Sequence, residues 1–300
     1  MKAFTGTEAV EASLKLARQY FVEAAEPQRT RFIARRQSYH GNTLGSLAIG
    51  NHKGRRAIYE SILSRNVSHV SPCYQYRDQK SGERDEEYVN RLADELEAEF
   101  QMVGPDTVCA FIAETISGTV SISPCQRRNQ EADRKFHTLG CVPPLPGYFK
   151  AIKAVCDRHG ALLILDEVMS GMGRSGTMHA WQQEGIVPDL QTVAKGLGAG
   201  YAPIGALLIG KKVVNVLTKG TGSFTHSQTY QGHPVACATA YAVQQVIEEE
   251  HLLENVHEKG RYLGELLQLR LGGHQNVGNI RGRGLFWGVS CQIPGSAAGG

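Results

Sequence analysis

Hydrophobic positions along the chain fall into two alternating patterns. Between Glu8 and Phe21, Val10, Leu14, Ala17 and Phe21 recur at three- and four-residue spacing and so line one helix face, with Glu11 and Lys15 spaced to pair on its surface. Glu86 to Phe100 repeats the pattern with Val89, Leu92, Leu96 and Phe100. Short unbroken apolar runs lie between such stretches: Val108 to Ala113, Ala161 to Leu165 and Ile204 to Ile209. Strands covered on both faces read as continuous rather than alternating. Strand–helix alternation of this kind predicts an α/β fold, with a mainly parallel sheet sandwiched by helices. Two of the runs lead into carboxylates, Glu114 and Asp166-Glu167. Ligands of open α/β sheets gather beyond the carboxyl ends of strands, so these positions point to a site.

Near residue 250 the pattern changes. A helix is expected over 253–271 with Val256, Leu263, Leu266 and Leu267 facing inward, followed by a glycine-rich strand over Gly282-Arg283-Gly284-Leu285-Phe286-Trp287-Gly288. The expected organisation is a large domain over 1–250 and the opening of a small α+β domain over 251–300. Within the first, 120–138 is polar and unpatterned and reads as an insert. It opens on Val120-Ser121, and the patternless tail opens on Val289-Ser290. Val-Ser is what a splice donor of the form GT-A/G-AGT encodes, so both are expected to be retained introns of a eukaryotic gene, which sequencing of the transcript tests.

Composition narrows the function classes. With 41% hydrophobic and 20% charged residues in 300, the chain is an ordinary globular one, long enough for one large domain or two smaller ones. A dispersed net charge of +3 points away from nucleic acid, and Arg35-Arg36 and Arg55-Arg56 read as solvated surface. Seven cysteines without a C-x-x-C pair suggest neither a zinc site nor a disulfide framework, and a reducing, cytoplasmic setting is expected. No apolar run approaches the ~18 residues of a membrane span, and Met1 to Phe4 carries no targeting character.

Four features carry candidate chemistry. Thr5-Gly6-Thr7-Glu8-Ala9 is a small-residue turn opening a helix, which reads either as an anion site or as a plain capped helix. Gln37-Ser38-Tyr39-His40-Gly41 offers an aromatic that either lies against a planar ring or packs on the core. Asp166 emerges from a buried strand and needs a cationic partner, such as a protonated pyridine nitrogen, unless it only caps the following loop. Lys195, between Val193-Ala194 and Gly196-Leu197-Gly198, reads as an amine in a closed pocket, where burial would make it a nucleophile for carbonyl carbon, or as a surface lysine.

Taken in order, these segments resemble the class III aminotransferases of fold type I. Asp166-Glu167-Val168, Gly171-Met172-Gly173-Arg174-Ser175-Gly176, Pro188-Asp189-Leu190 and Lys195-Gly196-Leu197-Gly198 have that family's order and spacing. Gly6 to Ala12 and Tyr39-His40-Gly41 precede them, and Thr229 to Pro234 follows. The resemblance covers about 4–119 and 139–289 and implies an aspartate-aminotransferase-like large domain that binds pyridoxal 5'-phosphate. It implies that Lys195 forms the Schiff base and moves the substrate's proton, and that Asp166 keeps the pyridine nitrogen protonated. Tyr39 and Val168 would cover the two ring faces, with His40 and Glu114 nearby. Gly6 and Thr7 would hold the phosphate, and Thr229 would reach the phosphate of the partner subunit in a homodimer. The implied reaction moves an amino group from an amine or amino acid to a keto acid or aldehyde. Many ornithine-type members have glutamine after the Asp-Glu-Val; Met169 stands here, so the omega-amine or pyruvate branch is expected. The family's N-terminal segment and most of its C-terminal domain, with the arginine it often supplies for a substrate carboxylate, are expected to be missing. An inactive cofactor-binding homologue, or a racemase or aminomutase using the same lysine, are the alternatives.

Overall fold

A computed structural model of the chain describes residues 2, 3, 5–118 and 140–291. The expected insert at 120–138 and the tail from 292 lie outside them. One seven-stranded sheet organises the molecule. Its strands are β1 (Lys2–Ala3), β2 (Arg31–Arg35), β3 (Val67–Val70), β4 (Val108–Glu114), β5 (Leu162–Asp166), β6 (Leu190–Val193) and β7 (Gly205–Ile209), in the order β1-β7-β6-β5-β4-β2-β3. The pairs among β2 to β6 are parallel, while β7 runs antiparallel to β6 and to β1, so the sheet is mixed as well as mainly parallel.

The unbroken apolar runs are explained by where successive side chains go. In β4 and β5, Phe111, Ala113, Leu163 and Leu165 enter one core, while Ala110, Ile112, Leu162 and Ile164 enter another on the opposite face. Helix α1 (Gly6–Glu23) covers the second face, with Val10, Leu16, Ala17 and Phe21 buried. The short helices α2 (Leu44–Ile49), α3 (Lys53–Arg56) and α4 (Gln75–Asp78) follow along the β3 edge. The first face is covered by α5 (Asp85–Val103), through Tyr88, Val89, Leu92, Leu96 and Phe100, and by α6 (Tyr148–Arg158), through Phe149, Ile152 and Val155. Beyond β7 come α7 (Lys211–Lys219), α8 (Pro234–Glu249) and α9 (Leu252–Leu271), then a separate hairpin of β8 (Val277–Arg283) and β9 (Phe286–Cys291).

Three expectations change. Glu11 does not pair with Lys15: its Oε1 accepts from the Ser46 amide at 2.9 Å and from the Thr43 hydroxyl, because α1 packs directly against the start of α2. Val256, Leu263, Leu266 and Leu267 of α9 are only half-buried, and its buried positions are Gly260 and Gly264. There the hairpin crosses so closely that a Cβ on Gly260 would meet the Gly284 backbone and one on Gly264 the Trp287 ring. Finally, β9 continues through Val289 and Ser290, which pair with Ile280 and Asn279, so the strand does not stop at Gly288.

Candidate cofactor and active site

Parallel register brings the strand-end residues together. Glu114 is the register neighbour of Asp166, and Asp166 of Thr192, so the ends of β4, β5 and β6 form one edge. Lys195 follows two residues beyond β6. A cavity of about 1330 Å³ opens at this edge and is lined by Gly6, Thr7, Tyr39, His40, Glu114, Asp166, Val168, Met169, Arg174 and Lys195, among others. Every expected site residue except Thr229 therefore shares one cavity. Thr229 is exposed in the loop before α8 and does not line it.

Asp166 is buried, and both of its carboxylate oxygens are engaged: Oδ2 lies 2.8 Å from His40 Nδ1, and Oδ1 accepts from the Val168 amide at 3.0 Å. It thus faces the cavity and also turns the following loop. The His40 side chain is fully buried, and its Nε2 has no partner among the described residues. Glu114 Oε1 accepts from the Gly118 amide at 3.0 Å and Oε2 from the Tyr39 amide at 3.4 Å. Burial pushes the Glu114 carboxyl above the usual range and Asp166 adds to the effect, while His40 opposes it.

Arg35, expected at the surface, is only 2% exposed. It ends the central strand β2, where its guanidinium donates to the Glu114 carbonyl and, at 3.0 Å, to Ser117 Oγ. It thereby pins the β4 end that aims Glu114. Arg55 does stay exposed, yet its guanidinium lies over the Tyr39 ring, 4.4 Å from the centroid. Arg56 is half-buried and donates to the Ala48 carbonyl at 3.3 Å.

At the other wall, a capping box closes α1: the Thr5 amide donates to Glu8 Oε2 at 2.8 Å, and the Glu8 amide to Thr5 Oγ1 at 3.4 Å. Gly6 and Thr7, the first helical residues, keep amides with no intrahelical acceptor, which suits an anion. A Cβ on Gly6 would sit 2.8 Å from Val168 Cγ1, so only glycine lets the turn approach the Val168 wall. The Thr7 hydroxyl is committed elsewhere, 2.7 Å from Ser46 Oγ and 3.0 Å from Thr43 Oγ1. Its contribution to an anion is the amide.

Lys195 departs from expectation. It adopts φ +40°, in the left-handed region, and its side chain is exposed rather than closed in. Gly196, Ala199 and Gly200, its neighbours on the cavity wall, have too little side chain to cover it. Met172 (φ +54°) and Ala199 (φ +48°) line the same cavity, so strained non-glycine backbone collects there. Glu167, next to Asp166, serves another purpose. Its carboxylate accepts from Thr115 Oγ1, the Ala180 and Trp181 amides and Gln191 Nε2 at 2.8–3.0 Å, which holds the turn over Ala180–Glu184 onto the sheet. Burial pushes its carboxyl up to about 7 against those bonds. No sequence signal separated Glu167 from Asp166 except the strand alternation that sends adjacent side chains to opposite faces.

The residues present fit pyridoxal phosphate. A glycine cradle that a Cβ would fill, a strand-end carboxylate and an orphaned buried His40 nitrogen surround the cavity. Comparison with known proteins shows the family. The model of the family described as aminotransferase class III matches residues 1–129 and 138–298. The chain belongs to this family. It is 52% identical over 288 residues to a Gibberella zeae protein named aminotransferase, covering 95% of this chain and 53% of that protein. It is 50% identical over 287 residues to an uncharacterized aminotransferase of Schizosaccharomyces pombe, covering 96% and 59%. Among solved structures, a thermostable (S)-enantioselective omega-transaminase from Thermomicrobium roseum aligns with a TM-score of 0.84 at 36% identity, over 96% of this chain and 59% of that one. The chain thus spans between half and three-fifths of the length of these relatives.

Proposed function

We propose that this chain carries the amino-transfer centre of a pyridoxal-phosphate-dependent transaminase. The observation that carries the reading is the meeting of a strand-end carboxylate, Asp166, with the amine of Lys195, which has no side-chain partner among the described residues, in one cavity. Pyridoxal phosphate, when bound, supplies an electron sink for the bonding pair left on the substrate carbon. The amides of Gly6 and Thr7 would hold its phosphate, Val168 and Tyr39 would flank its ring, and Asp166 would pair with its ring nitrogen. Asp166 is suited to keep a proton on that facing nitrogen, because His40 and the Val168 amide fix its orientation. Lys195 Nζ, which makes no side-chain bond among the described residues, takes the proton leaving the substrate carbon and returns it at the other end of the shift.

The donor is an amine or amino acid and the acceptor a keto acid or aldehyde, with omega-amines and pyruvate favoured. Met169 supports this, since it gives the cavity wall an apolar thioether where an amide side chain would offer hydrogen bonds. The assembly we propose is a cytoplasmic homodimer in which Thr229 serves the partner's cofactor. Thr229 is exposed outside its own cavity, and Val235 and Tyr241 leave the following helix α8 with exposed apolar side chains. Incubating the purified holoenzyme with a panel of amines and pyruvate, and following alanine, tests the reading. Alanine formation from omega-amines is expected. Isomerisation of a single amino acid without an acceptor, or cofactor binding without turnover, would contradict it.

A further inference from the structure

The charges of the cavity are unevenly partnered. Its carboxylates, Glu114 and Asp166, are both engaged, by the Tyr39 and Gly118 amides and by His40 and the Val168 amide. Its cations, Lys195 and Arg174, are both exposed and have no side-chain hydrogen bond or ion pair among the described residues. Lys195 is assigned to the nitrogen chemistry above. Arg174 is a second positive charge with no side-chain partner among the described residues to neutralise it.

Arg174 is also held in place. Its amide donates to the Gly171 carbonyl at 3.3 Å, and its carbonyl accepts from the Leu285 amide at 3.1 Å, so its backbone is clamped between the glycine turn and the β8–β9 hairpin. The turn has little slack on either side: a Cβ on Gly173 would lie 3.1 Å from Leu253, and one on Gly176 2.8 Å from the His257 ring. A guanidinium presented from a fixed backbone loses less freedom when it binds. Its fork matches a carboxylate through two parallel hydrogen bonds.

Beside both cations lies an annex of about 340 Å³, walled by Met169, Met172, Leu252, Leu253, Val256 and Phe286. Arg174 and Lys195 line the annex and the main cavity alike, so the two spaces adjoin at these residues. An apolar wall lowers the local dielectric and strengthens an ion pair formed against it. A hydrocarbon chain that fills the annex can therefore carry an acid group to Arg174.

We propose that Arg174 and this annex form a subsite for the carboxylate and hydrocarbon chain of an acidic substrate, an amino acid or keto acid. The inference rests on the transaminase reading only in treating the bound acid as a substrate. The same anion chemistry belongs to the cofactor's phosphate, and the experiment separates the two.

Calorimetric titration of the pyridoxal-phosphate-loaded protein with hexanoate, its neutral isostere hexanamide, and acetate reads the subsite without turnover. Hexanoate should bind at least tenfold tighter than hexanamide and than acetate. Arg174→Gln should erase the preference over hexanamide, and Arg174→Lys should keep part of it. Equal binding of the three probes, no binding, or a preference that survives Arg174→Gln overturns the proposal. Equilibrium dialysis of pyridoxal phosphate should show the same affinity for Arg174→Gln as for the unmodified protein. A tenfold loss there would assign Arg174 to the cofactor's phosphate and overturn the substrate subsite. A carboxylate preference without any amine turnover would refute the transaminase reading and leave the subsite standing, whereas turnover without the preference would do the reverse.

Discussion

At Asp166 two roles meet in one side chain. One oxygen faces His40 in the cavity and the other turns the backbone at Val168, so the side chain caps the following loop while it lines the cavity. Asp166→Asn keeps the size and much of the hydrogen bonding but removes the charge that would hold a proton on a facing ring nitrogen. Proton abstraction from a bound amine, followed by stopped-flow absorbance, should slow on the order of 100-fold or more, with the cofactor retained. An unchanged rate would move the role elsewhere, though not to Glu167, whose oxygens are spent on Thr115, Gln191 and the amides of Ala180 and Trp181. The sequence revealed Asp166 and Lys195 because each sits at the end of an apolar run, where local pattern decides position. It hid Arg35 because the burial of that side chain depends on Glu114 and Ser117, some eighty residues away. The sequence left Lys195 open between an enclosed and a surface amine for a related reason, since cover depends on which other segments reach the cavity.

Among the elements, the strands of the sheet centre were the most legible and the helix ends the least. Continuous apolar runs mark β4 and β5 because both sheet faces are buried, as the split of Phe111 and Ile112 between two cores shows. The inner face of α9 was misjudged because apolar periodicity says nothing about a glycine contact, and Gly260 and Gly264 are what the hairpin packs against. The junction of α1 with the loop after β5 is a sharper case, because only the missing Cβ of Gly6 lets the turn touch Val168. Overpacking of this kind costs ~1–3 kcal/mol. Gly6→Ala should therefore weaken pyridoxal phosphate binding on the order of tenfold in equilibrium dialysis. Trimming the opposing wall in the double variant Gly6→Ala, Val168→Ala should recover most of the loss. Full affinity in the single variant, or no recovery in the double, would show that the approach of the two segments does not shape the phosphate site.

For the molecule as a whole, half-buried His69 and buried Glu167 pull stability in opposite directions with pH. Burial lowers His69 to about 4 from 6.5, while its Nε2 lies 2.9 Å from the Ile49 carbonyl. The unfolded chain then binds more protons between pH 4 and 6.5, so this group's contribution rises with pH across that window, by about 3 kcal/mol in all. Glu167, raised to about 7 from 4.5, makes the folded chain bind more protons between those values, so its contribution falls as pH rises, by a similar amount. Urea unfolding of His69→Gln and Glu167→Gln separates them. The wild-type-minus-variant stability difference should climb with pH for the first and decline for the second, and two flat differences would contradict the burial argument. The account stands most heavily on Lys195 as the residue that bonds the cofactor. The measurement that reaches it most directly is borohydride reduction of the protein mixed with pyridoxal phosphate, followed by peptide mass spectrometry. The account predicts a near-visible absorbance band lost on reduction, with the added cofactor mass fixed on the peptide containing Lys195 and absent from Lys195→Ala. Cofactor fixed equally well in Lys195→Ala, or found on another lysine, would contradict it.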